Sequence, residues 1–423
     1  MIYVRSLWKR FAPGLLLMAG VLGLLIAAAQ PAQAQTETVL YSFGSQSGDG
    51  LLPQASLIMD KKGNLYGTTV VGGTGNSPAC NYPYAGGCGT AFKLVPPGKK
   101  RSVWTETVLY SFGSQYENDG VYPVAGLILD AEGNLYGTTS GGAGAYGDGT
   151  VFKLTPNGTE TVLHAFTGEP DDGSTPMAQL IMDAQGNFYG TTNGGGPCER
   201  GTVFELTLSG TETLLYCFGT QSGDGSYPWA GVIMDKKGNL YGTTYAAGAD
   251  NYGTVFKLTP AGTETVLHSF PSQSGDGSYL KAGLVRDNKG NLYGTTWIGG
   301  AYGGGTVFKL SPSKKGAWTE TVLYSFCSQL NCTDGNGPYA GLIMDKEGNL
   351  YGTTNGGGAN PYCGTVFELT SQGVEKVLYS FGAYSGDGCN PDAALLMDKK
   401  GNLYGTTEWG GANGYGTVFK IAP

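Results

Sequence analysis

Two histidines in 423 residues, at positions 164 and 268, leave little room for common hydrolytic or metal chemistry. A Ser-His-Asp triad or a histidine-rich metal centre would have to use those positions. Both replace the tyrosine of a recurring "TVLYSF" phrase, so a structural, tyrosine-like role is expected. Charge is sparse too, at 14% of residues, and basic charge is the scarcer kind, with 25 Lys+Arg against 33 Asp+Glu. The first 34 residues hold three of those basic residues and no acidic one, which leaves the rest at −11. Such a surface repels phosphate backbones and anionic headgroups, excluding nucleic-acid and membrane-surface binding as expectations. No Cys-x-x-Cys occurs, so zinc and dithiol redox motifs are missing. Nor does any Gly-x-x-x-x-Gly-Lys-Ser/Thr, and the Gly-rich stretches lack the strand-to-helix setting that a nucleotide needs.

Long apolar runs are confined to the beginning. Arg5, Lys9 and Arg10 precede an apolar stretch over 14–29, and Ala32-Gln33-Ala34 has the small-x-small form of a cleavage site. Residues 1–34 therefore read as an export signal and 35–423 as the mature protein, secreted or periplasmic. The run falls short of the roughly 20 residues of a spanning helix, so no membrane insertion is expected after cleavage.

Glycine is plentiful, at 74 residues against a usual ~7%, alongside many aromatic and aliphatic residues, which indicates a turn-rich fold. "GNLYGTT" stands at 63–69 and returns at Gly133, Gly186 (with Phe188 for Leu), Gly238, Gly290, Gly348 and Gly401, at spacings of 70, 53, 52, 52, 58 and 53. Each copy sits among three more strand-like phrases, typified by "AGLIMD", "GTVFKL" and "TVLYSF". Four strands per period near 50 predict a β-propeller blade, and seven copies predict an all-β, seven-bladed propeller.

The mature chain opens on "TETVLYSF" and ends after "GTVFKIAP", so the segment 36–43 is expected to complete the last blade and close the ring. From the inside outwards the strands are then A ("AGLIMD"), B ("NLYGTT"), C ("GTVFKL") and D ("TVLYSF"). The blades span about 55–112, 125–166, 178–218, 230–270, 282–326, 340–381, and 393–421 with 36–43. In this order the A–B and C–D turns share a short-looped, lysine-bearing face. The B–C and D–A loops share the other, which is acidic, aromatic and nearly free of Lys and Arg.

The pattern "AGLIMDKKGNLYGTT…GTVFKLTP…TETVLYSF…GDG" resembles the bacterial GloVer tandem repeats of the "choice-of-anchor" family over essentially everything after the leader, and its "D-x-x-GNLY" element is similar to the strand turn of NHL-type propellers. The resemblance implies a propeller and assigns no activity. Some members are expected to carry a C-terminal anchor; this chain ends at Pro423 without an apolar or basic tail, so free export is the expectation.

On the loop-rich face, an Asp-Gly pair enters every blade, Asp224 and Asp276 among them. Asp-Gly is tight-turn chemistry, although carboxylates also bind Ca²⁺ or sugar hydroxyls. No Asp-x-Asp-x-Asp-Gly ladder is present, so no cofactor is expected, with Ca²⁺ the one candidate. A functional site in a repeat protein should depart from the consensus. The departures on this face are Trp229, Tyr245, Trp297, Glu408 and Trp409, with Arg286 replacing the usual Met of strand A. Eight cysteines suit an oxidising compartment. Strand order pairs them as Cys80–Cys88, Cys198–Cys217, Cys327–Cys332 and Cys363–Cys389, all on the loop-rich face. Three functions stay open: binding of an extracellular glycan or protein, a polysaccharide hydrolase or lyase using carboxylates there, and a structural envelope component.

Overall fold

Blade four shows how the repeated phrase folds. Strand A (Ile233–Met234) pairs with B (Leu240–Thr244), B with C (Thr254–Leu258) and C with D (Glu264–Ser269), all antiparallel. In the A–B turn, Asp235 Oδ1 accepts the amides of Lys237 and Asn239 at 2.8 and 3.0 Å. Its Oδ2 accepts Asn239 Nδ2 at 2.9 Å and the Tyr241 hydroxyl at 3.1 Å. Gly238 takes φ +77°, which a side chain would strain. That accounts for Asp, Gly, Asn and Tyr of the phrase. The glycine of Gly-Thr-Thr makes room for the C-strand ring, since a Cβ on Gly242 would lie 2.6 Å from Phe256 Cζ.

The two threonines divide their work. Thr243 Oγ1 donates to the carbonyl of Ala282 in the next blade at 2.9 Å, whereas Thr244 bonds across to Thr254 of its own strand C at 2.8 Å. The blade-to-blade bond recurs at all seven interfaces, including Thr406 to Ala55, 3.1 Å, which joins blade seven to blade one. A second contact also recurs seven times. The Phe that ends each D strand meets the C-strand Phe of the next blade edge-on or tilted, with centroids 4.9–5.2 Å apart. Both rings are fully buried in each such pair. Each blade thus buries its faces on its neighbours, and the core is a ring of inter-blade clusters.

This is a seven-bladed β-propeller of four-stranded antiparallel blades, known from a computed structural model that describes residues 36–422 except 79, 81–85, 100–101, 116–118, 143–146, 170, 272–274 and 315. The expected export signal falls outside them. Closure is as the sequence predicts: Glu37–Ser42 is strand D of blade seven and pairs with Thr417–Ile421, from Glu37↔Ile421 to Ser42↔Thr417. Strand A is shorter than its phrase, however, with only two residues in the ladder. The preceding Ala-Gly instead lines a central channel, where backbones approach closely; a Cβ on Gly231 would lie 2.4 Å from the carbonyl oxygen of Gln179 in the neighbouring blade.

The loop-rich face is built as inferred, with one addition. In six blades the incoming D–A loop and the B–C loop form a two-residue ladder, such as Gly225–Ser226 with Ala246–Ala247, and in blade six the bridge Asn336–Gly356 replaces it. Three of the four expected disulfides are present: Cys80–Cys88, Cys327–Cys332 and Cys363–Cys389. The fourth is not. Cys198 and Cys217 are neighbours as inferred but remain separate thiols, the Cys198 amide donating to Sγ of Cys217 at 3.3 Å, and burial pushes the Cys217 thiol up to about 11. No helix among the described residues is long and apolar enough to cross a membrane.

Candidate functional site

Two positions of the repeat are not repeated. The residue before Ala-Gly, or its equivalent, is Gln54, Val124, Met177, Trp229, Lys281, Tyr339 and Asp392 in blades one to seven, a different type each time. The residue after Gly-Thr-Thr is Val70, Ser140, Asn193, Tyr245, Trp297, Asn355 and Glu408. The fold sets the first series around the mouth of the central channel, whose cavity of about 800 Å³ they line together with Glu408. Four residues of the second series meet it: Tyr245 contacts Trp229 of its own blade, and Trp297, Asn355 and Glu408 contact Tyr339, Asp392 and Gln54 of the next.

Blades four to six contribute an aromatic wall. Trp229 lies 5.7 Å from Tyr245, Tyr245 5.0 Å from Tyr279, and Trp297 6.0 Å from Tyr339, centroid to centroid. Lys281 is enclosed by this wall, with Nζ 4.0 Å from the ring centroids of Trp297 and Tyr339, 4.7 Å from Trp229 and 5.6 Å from Tyr245, and it donates to the Tyr339 hydroxyl. An ammonium among aromatic faces is held by their quadrupoles. Burial nonetheless lowers Lys281 to about 8, with Asp392 opposing the shift. Burial also raises Tyr339 to about 12, and the nearby Asp392 adds to it.

Blades six, seven and one supply a polar arc. Asn355 Nδ2 donates to Asp392 Oδ1 at 2.6 Å, and Gln54 Nε2 donates to Glu408 Oε1 at 2.9 Å. Asp392 and Glu408 lie close enough for the charge of Glu408 to act on the Asp392 carboxyl. Burial raises Asp392 to about 7; the Asn355 bond opposes this, and Glu408 adds to it.

Of the residues singled out from sequence, Trp229, Tyr245, Trp297 and Glu408 meet here. The other four do not. Trp409 pairs with Cys389 in a loop ladder and packs on Leu52, Val70 and Val71 between blades seven and one. Asp224 and Asp276 are each 5% exposed, inside their turns. Asp224 accepts the Tyr216 hydroxyl and the amides of Gly219 and Gly225 at 2.7–2.8 Å, and Asp276 accepts the Gly277 amide at 2.8 Å, with His268 at 3.5 Å. His164 meets Asp172 at 3.2 Å, so it does the tyrosine's work of holding the loop aspartate, while His268 faces its aspartate at the longer distance. Arg286 lies away from this mouth: it is exposed near the A–B turn, lines a second cavity between the A strands of blades four and five, and lies 5.8 Å from the Tyr241 ring. Missed from sequence were Lys281, Tyr339, Asp392, Asn355 and Gln54, although the variation before Ala-Gly was visible.

A family model described as the Gloeobacter/Verrucomicrobia repeat matches residues 23–184, 142–332 and 318–423. No curated protein matches. Among solved structures, the extracellular domain of a hybrid two-component system from B. thetaiotaomicron is similar at 14% identity and TM-score 0.55, over 92% of this chain. The chain spans 41% of that protein's length. A 6-phosphogluconolactonase from Bacteroides uniformis is similar at 13% identity and TM-score 0.48, over 78% of this chain and 85% of its own. At these identities the likeness concerns the fold alone.

Proposed function

We propose, for a chain that belongs to the Gloeobacter/Verrucomicrobia repeat family, that it is an exported carbohydrate-binding propeller whose site is the mouth of its central channel. One observation carries this reading: a chain that repeats its core, turns and blade interfaces seven times varies the two positions that meet at that mouth. A purely structural ring would repeat there too. The residue types suit sugar, since aromatic faces stack on the apolar faces of pyranose rings while carboxyls and amides exchange hydrogen bonds with hydroxyls.

Binding is favoured over hydrolysis by the carboxyl geometry. Glycosidase carboxyls flank the scissile bond roughly 5 to 9.5 Å apart. Asp392 and Glu408 belong to the same blade, each accepting an amide donor, and so form one side of the mouth instead of flanking it. Export is supported by the basic-apolar leader and the disulfides of the loop-rich face.

A glycan array probed with the mature protein tests the proposal. Defined saccharides should be retained, and Trp297→Ala should weaken them about tenfold or more, since a stacked aromatic ring contributes on the order of 1 kcal/mol beyond its buried area. An array left blank by the folded protein, or binding indifferent to Trp297→Ala and Trp229→Ala together, removes the reading.

A further inference from the structure

We propose that the channel mouth recognises an ammonium group on its ligand, seated on the Asp392–Glu408 pair beside the aromatic wall. This rests on the carbohydrate reading above, within which the ligand is an amino sugar with a free amine.

Three observations converge. First, the wall already holds an ammonium: Nζ of Lys281 lies 4.0 Å from both Trp297 and Tyr339, so these faces accept a cation as well as an apolar ring. Second, the carboxyl pair lacks a cationic partner in contact. Each acid takes one amide donor, from Asn355 and Gln54, and both line the same mouth. The only ion pairs within 4.0 Å among the described residues are the two histidine–aspartate contacts elsewhere. Burial raises the Asp392 carboxyl to about 7, and the neighbouring Glu408 adds to it. A ligand ammonium seated there donates hydrogen bonds to these acids, and charge-assisted bonds of this kind are roughly twice as strong as neutral ones. Third, the pair opens onto a cavity of about 800 Å³, enough for more than one sugar ring, and the acidic face draws cations towards it. A uronate would meet the two acids, while the one ammonium at the mouth is already enclosed by rings.

Titration calorimetry on the mature protein at about pH 6, where the amine is charged, compares four probes: glucosamine trisaccharide, its N-acetylated counterpart, cellotriose and spermidine. The glucosamine trisaccharide should bind about tenfold more tightly than either neutral sugar, as a charge-assisted bond requires. Asp392→Asn with Glu408→Gln, near-isosteric changes whose folding is checked by thermal melting, should erase that preference, so that the amine and its neutral counterparts bind alike. Neutral sugars binding as tightly as the amine, or a preference that survives both amides, overturns the ammonium seat and leaves the carbohydrate reading standing. Spermidine binding without any saccharide keeps the seat and ends the carbohydrate reading. Silence from all four ends both.

Discussion

Asp235 condenses the logic of the repeat into one carboxylate, which satisfies two turn amides, the Asn239 side chain and the Tyr241 hydroxyl. Those bonds hold its carboxyl below the usual range although burial pulls the other way. Asp235→Ala removes four bonds, each with a net contribution near 1 kcal/mol, so a loss of about 2–4 kcal/mol is expected at neutral pH. A depressed pKa contributes stability above the unfolded value and loses it as pH falls through the folded one. Differential scanning calorimetry should therefore find parent and variant far apart at neutral pH and convergent below the ordinary value of 3.8; a constant gap would refute the linkage. This residue was legible because "D-x-x-GNLY" states its turn outright. The mouth was half legible. Trp229, Tyr245, Trp297 and Glu408 stood out as aromatic or acidic departures, but Lys281, Tyr339, Asp392 and Gln54 reveal their role only once seven blades are laid in register around an axis.

At the scale of the strand, the glutamate near the start of each D strand behaves oppositely to the turn aspartate. Glu160 is half-buried, its Oε1 has no hydrogen-bond partner, and burial, with Asp119 adding to it, raises its carboxyl from 4.5 to about 8. Six equivalents, Glu37, Glu106, Glu212, Glu264, Glu320 and Glu375, rise to about 7, burial first in each. In every case the nearby aspartate comes from the loop after the preceding blade's D strand. A raised pKa gives stability that is complete below the unfolded value and lost as pH rises through the folded one. The melting temperature should thus fall between pH 4.5 and about 8. Glu160→Gln mimics the protonated acid, so it should melt above the parent at about pH 8 and no higher than it at pH 4.5; equal melting at both refutes a protonated glutamate. These strands were predicted correctly from recurring runs rich in β-branched, aliphatic and aromatic residues and from their bounding turns. The two-residue loop ladders were not, because Gly-Leu or Gly-Ser pairs carry no strand signal and pair only after the blade has brought the loops together.

For the whole molecule, the question is what makes seven separate sheets one cooperative body. Each interface has the same two devices, a Phe pair and a Thr-to-carbonyl bond, so no blade is stabilised by itself. Between blades seven and one, Phe43 packs 5.1 Å from Phe92 and Thr406 bonds Ala55, a link between residues more than 350 positions apart. Phe43 sits at the end of the segment that supplies strand D of blade seven. Deleting 36–43 removes that strand, bares the edge of Thr417–Ile421 and takes away one ring of the Phe43–Phe92 pair. Losing a buried Phe alone costs about 3–5 kcal/mol, and the strand's ladder adds to it, so the melting midpoint should drop by about 10 °C or more. The transition should also broaden, because an open array can fray from its terminal blades. Removal of 1–34 alone should leave the midpoint unchanged. Phe43→Ala should fall between, lowering the midpoint while keeping one sharp transition, since the ladder from Glu37 to Ser42 survives. A deletion that melts like the intact mature chain would mean that the ring does not depend on this strand for its cooperativity, and that the blade interfaces suffice.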